Sequence, residues 1–210
     1  EYTMLFNPGL KSVFMFVPGT ITILLMLVSA MMTSISIARE KEMGTMEVLL
    51  VSPLKPVQII VGKVIPYVVL SFVNAITILL MAFFVFGMPI EGSLALLLGE
   101  SLLFIVMALS LGIFISTIAN NQQTAMMISM FALMLPTILL SGFIYPIENM
   151  PDVLQWICNL MPTKWFIIII KDIMLKGVGM AYVWQETLII VGMTLFFIGL
   201  SVKKFKIRLE

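Results

Sequence analysis

The chain has 210 residues, 61% of them hydrophobic and 11% charged, with 12 Lys and Arg against 11 Asp and Glu and a mean hydropathy of +1.15. Ordinary soluble domains carry roughly 45–50% apolar and about 25% charged residues, so this is the composition of an integral membrane protein. A net charge of +1 lacks the basic excess that nucleic acid requires, and the absence of His with a single cysteine, Cys158, excludes zinc sites, Cys–His nucleophilic pairs and disulfides within one chain.

Residues 1–16 are mixed in character, with a turn signal at Asn7-Pro8-Gly9, and read as the end of an external segment. The first residue is Glu1 rather than Met and no secretory signal precedes it, which predicts a natural N-terminus further upstream. From about 17 to 38 the chain is uncharged and long enough for one crossing at roughly 20 residues per span, with Pro18 at the start, where a proline is tolerated.

Residues 39–56 then concentrate charge: Arg39, Lys41 and Lys55 against Glu40, Glu42 and Glu47. The charges cancel, so the stretch is not a simple basic anchor for anionic lipid. Its helix formers predict a short helix from about Glu40 to Val51, ended by Ser52-Pro53. On that helix Met43, Met46 and Leu50 share one face, and Glu40, Gly44 and Glu47 an adjacent one. The acidic face is the one expected to meet a partner; a solvated connector between spans is the plainer reading of the same residues.

A second span follows at about 63–87, entered past Lys63 with Pro66 in its first turns, and 88–93 is a short polar turn. The third, at about 94–118, repeats small residues at Ala108, Gly112 and Ser116, a spacing that lets helices approach closely in lipid. The fourth, at about 124–145, has Pro136 in its middle, where a proline frees a carbonyl and kinks the helix. Residues 146–184 hold two apolar pieces, 153–161 and 165–175, too short to cross and read as external interfacial or re-entrant helices. The fifth span, at about 185–202, runs into the tail 203–210 with Lys203, Lys204, Lys206 and Arg208.

If the stretch 39–56 and the tail share a side, that side holds eight of the 12 Lys and Arg, which places it in the cytoplasm. Residue 1 is then external, and at least one further span is predicted upstream. No internal repeat is visible, so 17–202 reads as one membrane domain.

The order of residues also resembles the membrane subunits of ABC-2 type exporters. That family carries a coupling segment of the form R-E-(R/K)-E-x-G-T-x-E-x-L-x-(V/T)-(S/T)-P followed by G-K-x-x-P. This chain has Arg39-Glu40-Lys41-Glu42-Met43-Gly44-Thr45-Met46-Glu47-Val48-Leu49-Leu50-Val51-Ser52-Pro53, then Gly62-Lys63-Val64-Ile65-Pro66. The likeness continues through Phe86-Gly87-Met88-Pro89, Gly112 to Ser116, Ser141-Gly142-Phe143-Ile144-Tyr145-Pro146 and Asn149-Met150-Pro151, nearly the whole chain. The family's N-terminal span and large extracytoplasmic domain have no counterpart in it.

The resemblance implies a bacterial inner-membrane permease that exports an amphipathic or hydrophobic substrate, pairs with a second permease subunit in a homo- or heterodimer, and draws energy from cytoplasmic ABC ATPase subunits. It implies ATPase coupling for Arg39, Glu40, Glu42, Gly44, Thr45, Glu47, Leu50 and Pro53. No catalytic residue, metal or cofactor is expected on this chain, because Gly62-Lys63 is followed by Val64 and makes no P-loop; ATP and Mg would sit on the partner.

Candidate gate or pathway residues are Glu100, Gly112, Ser116, Pro136 and Ser141. Glu100 is an ionisable group within a span, a functional suspect, yet it lies near enough to the outer end to be tolerated structurally. The small-residue row serves a pathway or helix packing. Trp156, Trp165 and Trp184 fit an outer aromatic belt or an apolar substrate site, Lys171-Asp172 a gate or a charge pair, and Cys158 an apolar filler.

The expected fold is therefore all-α integral membrane, with five transmembrane helices, a cytoplasmic coupling helix and short external re-entrant or interfacial helices. A non-transporting scaffold or sensor that recruits a cytoplasmic partner is the rival reading. An ion-coupled carrier is disfavoured by the lack of repeats, and an intramembrane hydrolase by the lack of any group to activate water.

Overall fold

Membrane-spanning backbone must satisfy its own N–H and C=O groups, and this chain does so with helices. The computed structural model describes residues 13–45 and 56–207, and no strand occurs among them. The elements are α1 (Val13–Glu42), α2 (Pro56–Phe84), α3 (Leu94–Ile118), α4 (Gln122–Ser129), a π-helical turn (Met130–Met134), α5 (Leu135–Leu140), a 3-10 turn (Ile147–Asn149), α6 (Asp152–Asn159), α7 (Pro162–Lys176) and α8 (Met180–Ile207). Among the described residues, five stretches are long and apolar enough to cross a membrane: Val13–Glu42, Val61–Phe84, Leu94–Ile118, Gln122–Leu140 and Met180–Ser201. The chain is an all-α, multi-pass membrane protein.

The third span begins and ends where the hydropathy places it. The Ser93 hydroxyl accepts from the Leu96 N–H at 3.5 Å and caps its N-terminus. The other boundaries move. Helix α1 starts four residues before Val17 and runs through Arg39 and Glu40 to Glu42, so Pro18 lies inside it rather than at its start. Charged residues do not stop a helix; they only leave the hydrocarbon. The fourth span ends at Leu140, not 145, because Ser141 leads into irregular backbone with Gly142 at φ 77°. Helix α8 begins at Met180, five residues before Gln185, and carries Tyr182 and Trp184 on its first turns.

Pro136 does not sit at a bare kink. The π turn directly precedes it, and Pro136 falls in the first turn of α5, where its missing N–H is least costly. Widening one turn absorbs the hydrogen bond that the ring removes.

Helix α3 is the centre of the bundle, with Leu97, Phe104, Ile105, Met107, Ala108 and Leu109 all fully buried. It packs on α1, α2, α4, α7 and α8. Gly112, in its row of small residues, meets α1: a Cβ built there would stand 2.4 Å from the Ala30 carbonyl oxygen, so only a glycine permits this crossing. Ala108, Gly112 and Ser116 are all buried, and at Gly112 the small residue serves helix packing.

The segment after α5 is a bent pair. Helices α6 and α7 are bent by 79° at a short break, the geometry of a broken span or of a re-entrant loop. Helix α7 is no surface helix, since Phe166, Ile169, Ile170, Ile173 and Met174 are fully buried. Phe166 stacks on Phe104 of α3 with ring centroids 4.0 Å apart. The far side is closed by the 85–93 connection, whose Glu91 N–H donates to the Met174 carbonyl at 3.1 Å.

Candidate functional site

The charged run after Ala38 meets the ends of three other helices. Because α1 continues to Glu42, Glu40, Lys41 and Glu42 occupy its last turn, about 100° apart around the axis, and each points to a different neighbour. Glu40 forms an ion pair with Lys63 on α2. The Lys41 ammonium donates to the carbonyls of Ser116 and Ala119, the unsatisfied acceptors at the C-terminus of α3. The Glu42 carboxylate accepts from Gln122 at the start of α4, through its backbone N–H at 3.0 Å and its Nε2 at 3.1 Å.

Each sign suits its site. A helix C-terminus presents bare carbonyls with partial negative charge and attracts Lys41, whereas a helix N-terminus presents bare N–H groups and attracts Glu42. The Asn121 side chain completes the α4 cap by accepting from the Thr124 N–H at 2.7 Å. Three consecutive side chains thus tie α1 to α2, α3 and α4 at one end of the bundle.

The turn that leaves α1 is equally specified. The Met43 N–H donates to the Arg39 carbonyl at 2.9 Å, Gly44 adopts φ 71°, and the Thr45 hydroxyl donates to the Glu40 carbonyl at 3.2 Å. A left-handed glycine just past the last turn is the usual helix stop. Gly44 therefore ends the first span, where the sequence reading places it inside a separate helix beginning at Glu40. Arg39, Gly44 and Thr45 are exposed. Glu47, Leu50 and Pro53 lie outside the described residues. The sequence reading offered the face of Glu40, Gly44 and Glu47 to a partner; of these, Glu40 is paired with Lys63 within the chain.

Deeper in the bundle, Glu100 on α3 is 4% exposed, and its Oε1 accepts from the Thr187 hydroxyl of α8 at 2.8 Å. Its Oε2 is buried without a partner. The position near the helix end, which made tolerance the plainer reading, does not leave this carboxyl in water. Ser116 and Ser141 are buried, Ser116 donating to the Ile113 carbonyl at 2.6 Å and Ser141 Oγ having no partner. Pro136 is partly buried. Glu100, Gly112 and Ser116 thus lie on α3, and Pro136 and Ser141 at the two ends of α5.

Several smaller expectations are resolved. Asp172 forms an ion pair with Lys176 at 2.5 Å, one turn on, and its charge also acts on the neighbouring Lys171. Trp156 and Trp184 are exposed, while the partly buried Trp165 donates from Nε1 to the Asn159 carbonyl at 2.9 Å. Cys158 is buried, with Sγ 3.8 Å from the Met150 Sδ. The contacts that sequence reading missed are Lys41, Gln122, Thr187 and the Ser34–Ser129 pair, whose hydroxyls are 2.7 Å apart between α1 and α4. Only Gln122 left a signal, the capping residue Asn121 before it.

A family profile described as ABC-2 family transporter protein matches residues 1–203. The chain belongs to the ABC-2 transporter family. Among the relatives of this ABC-2 protein, the probable multidrug ABC transporter permease YbhS of Escherichia coli K12 is 35% identical over 205 residues, 98% of this chain and 54% of the relative. The probable multidrug permease YbhR of the same strain is 36% identical over 86% of the chain and 49% of its own length. ABC transporter G family member 20 of Dictyostelium discoideum is 29% identical over 93% of the chain and 27% of its own length. The chain spans about half the length of the two bacterial relatives.

Proposed function

We propose that this ABC-2 chain is the membrane permease part of an ATP-driven exporter in a bacterial inner membrane, with the Arg39–Pro53 segment and the C-terminus in the cytoplasm. Cytoplasmic ABC ATPase subunits hold the ATP and Mg, and a second permease subunit completes the pathway for an amphipathic or hydrophobic substrate. The family match and the permease relatives support the class. The observation that carries the coupling role is the three-way tie of Glu40, Lys41 and Glu42 to α2, α3 and α4. A push on the segment that follows Gly44 reaches the ends of four helices at once, because the last turn of α1 is bonded to the other three. That is how a rigid-body movement of a docked subunit becomes a rearrangement of spans.

The test is co-expression with the P-loop ATPase of a neighbouring reading frame, reconstitution in vesicles, and parallel assays of ATP hydrolysis and substrate movement. Glu40→Ala with Glu42→Ala is expected to insert and fold, keep hydrolysis, and lose transport. Unchanged transport in that double variant sinks the coupling role. If the protein that co-purifies with the chain binds no nucleotide, the scaffold or sensor reading takes its place.

A further inference from the structure

On the outside of the bundle, α2, α3 and α8 diverge and leave a groove of about 280 Å³. Leu109 and Ile113 of α3 form its floor and Ile198 of α8 one wall, and it opens beside Val61 and Ile65 of α2, which are 49% and 55% exposed. Two hydroxyls break the apolar lining, and while Ser110 donates to the Met107 carbonyl at 2.6 Å, Ser201 does not bond in this way. Ser201 lines the groove and is 1% exposed, yet its hydroxyl has no hydrogen-bond partner, not even the carbonyl one turn back that Thr187 and Thr194 use on the same helix. A hydroxyl held in an apolar site without a partner is costly, and one that lines an open groove can be satisfied by an acceptor from outside the chain.

Cations stand at the same end. Lys203 and Lys204 follow Ser201 within one turn and are exposed. The Lys204 ammonium lies 5.3 Å from the centre of the Phe114 ring, next to Ile113 of the groove floor. From the mouth inward, the site reads as ammonium, hydroxyl donor, hydrocarbon slot. That is the order of phosphate, ester and acyl chain along a phospholipid.

We infer that this groove holds one acyl chain of an anionic phospholipid, with its phosphate on Lys203 and Lys204 and an ester carbonyl accepting from Ser201 Oγ. The lipid comes from the leaflet on the Lys203 side. It fills the gap among three spans and anchors α8 to the interface, a role separate from that of any transported substrate. Juxtamembrane lysines attract anionic headgroups in this way.

The test uses the full chain in phosphatidylcholine vesicles containing a phosphatidylglycerol that carries a photoactivatable group on one acyl chain, with adducts mapped by peptide mass spectrometry. Adducts are expected on the groove segments of α2, α3 and α8. Lys203→Gln with Lys204→Gln should lower phosphatidylglycerol labelling by roughly tenfold. The same variant should leave labelling by a phosphatidylcholine probe unchanged. Leu109→Trp, which fills the slot, should remove the groove adducts while labelling at Val69 and Val73 elsewhere on α2 persists. Equal labelling by the two lipids, adducts spread evenly along the exposed face of α2, or cross-links showing a second copy of the chain in the groove would each overturn the inference.

Discussion

The Glu42 carboxylate accepts two hydrogen bonds from a single residue, Gln122, whose backbone N–H and side-chain amide converge on one oxygen, Oε2. An acidic residue at the end of one span therefore caps the beginning of another. Both groups are at the bundle end, where water competes, so the bond positions α4 more than it stabilises the fold. Glu42→Ala should leave the fold intact and raise amide exchange in the first turn of α4. Hydrogen exchange of the purified protein reads this directly; unchanged protection at residues 122–125 would refute the cap.

The ion pair of Glu40 and Lys63 makes a separable prediction. Glu40→Lys or Lys63→Glu alone puts like charges together between α1 and α2 and should impair transport in the reconstituted system. The two changes combined restore opposite charges and should recover a large part of it. The coupling energy from such a double-variant cycle is expected at about 0.5–3 kcal/mol in thermal or denaturant stability. Strictly additive effects would show that the two side chains act independently.

Gly112 and Ala30 define the closest approach of α1 and α3. Gly112→Ala forces the helices apart at a backbone contact that no rotamer can relieve, and about 1–3 kcal/mol of destabilisation is expected. Gly99 on the same helix has open space where a Cβ would go, so Gly99→Ala serves as the control and should be neutral or slightly stabilising. Thermal unfolding in detergent distinguishes the pair.

Thr187→Val removes the only hydroxyl shown bonded to Glu100 and leaves the carboxyl buried between α3 and α8. Interhelical hydrogen bonds in membranes are worth about 0.6 kcal/mol on average and up to about 1.7 kcal/mol, so a loss in that range is expected. Glu100→Gln keeps an acceptor for Thr187 and should be milder than Glu100→Leu. Equal stability of all three variants and the parent would mean that the bond contributes nothing.

Much of the architecture was legible in the residues. The five crossings follow from uncharged runs of sufficient length, since lipid rewards nothing else, and 94–118 is recovered residue for residue. The two short pieces after Pro146 are too brief to span and do form a bent pair. Errors fall at helix ends. Hydropathy senses where a chain leaves hydrocarbon, whereas a helix stops where its backbone is capped. For α1 that place is Gly44, beyond four charged residues, Arg39 to Glu42, that belong to the span's own last turn.

The Arg39–Pro53 motif stood out by its residue order, but the work of its charges did not. Nothing in a one-dimensional pattern links Glu40 to Lys63, Lys41 to the carbonyls of Ser116 and Ala119, or Glu42 to Gln122 across 80 residues. The sequence alone determined that this protein lives in a membrane and that it has five runs apolar enough to cross it, because composition and run length decide solvent. Only the tertiary structure decided which termini those charges neutralise and which helix carries α7 in its core. Partners for a bare carbonyl, a bare N–H or a buried ring are set by where helices cross, and side-chain size at single contacts such as Gly112 against Ala30 sets the crossing.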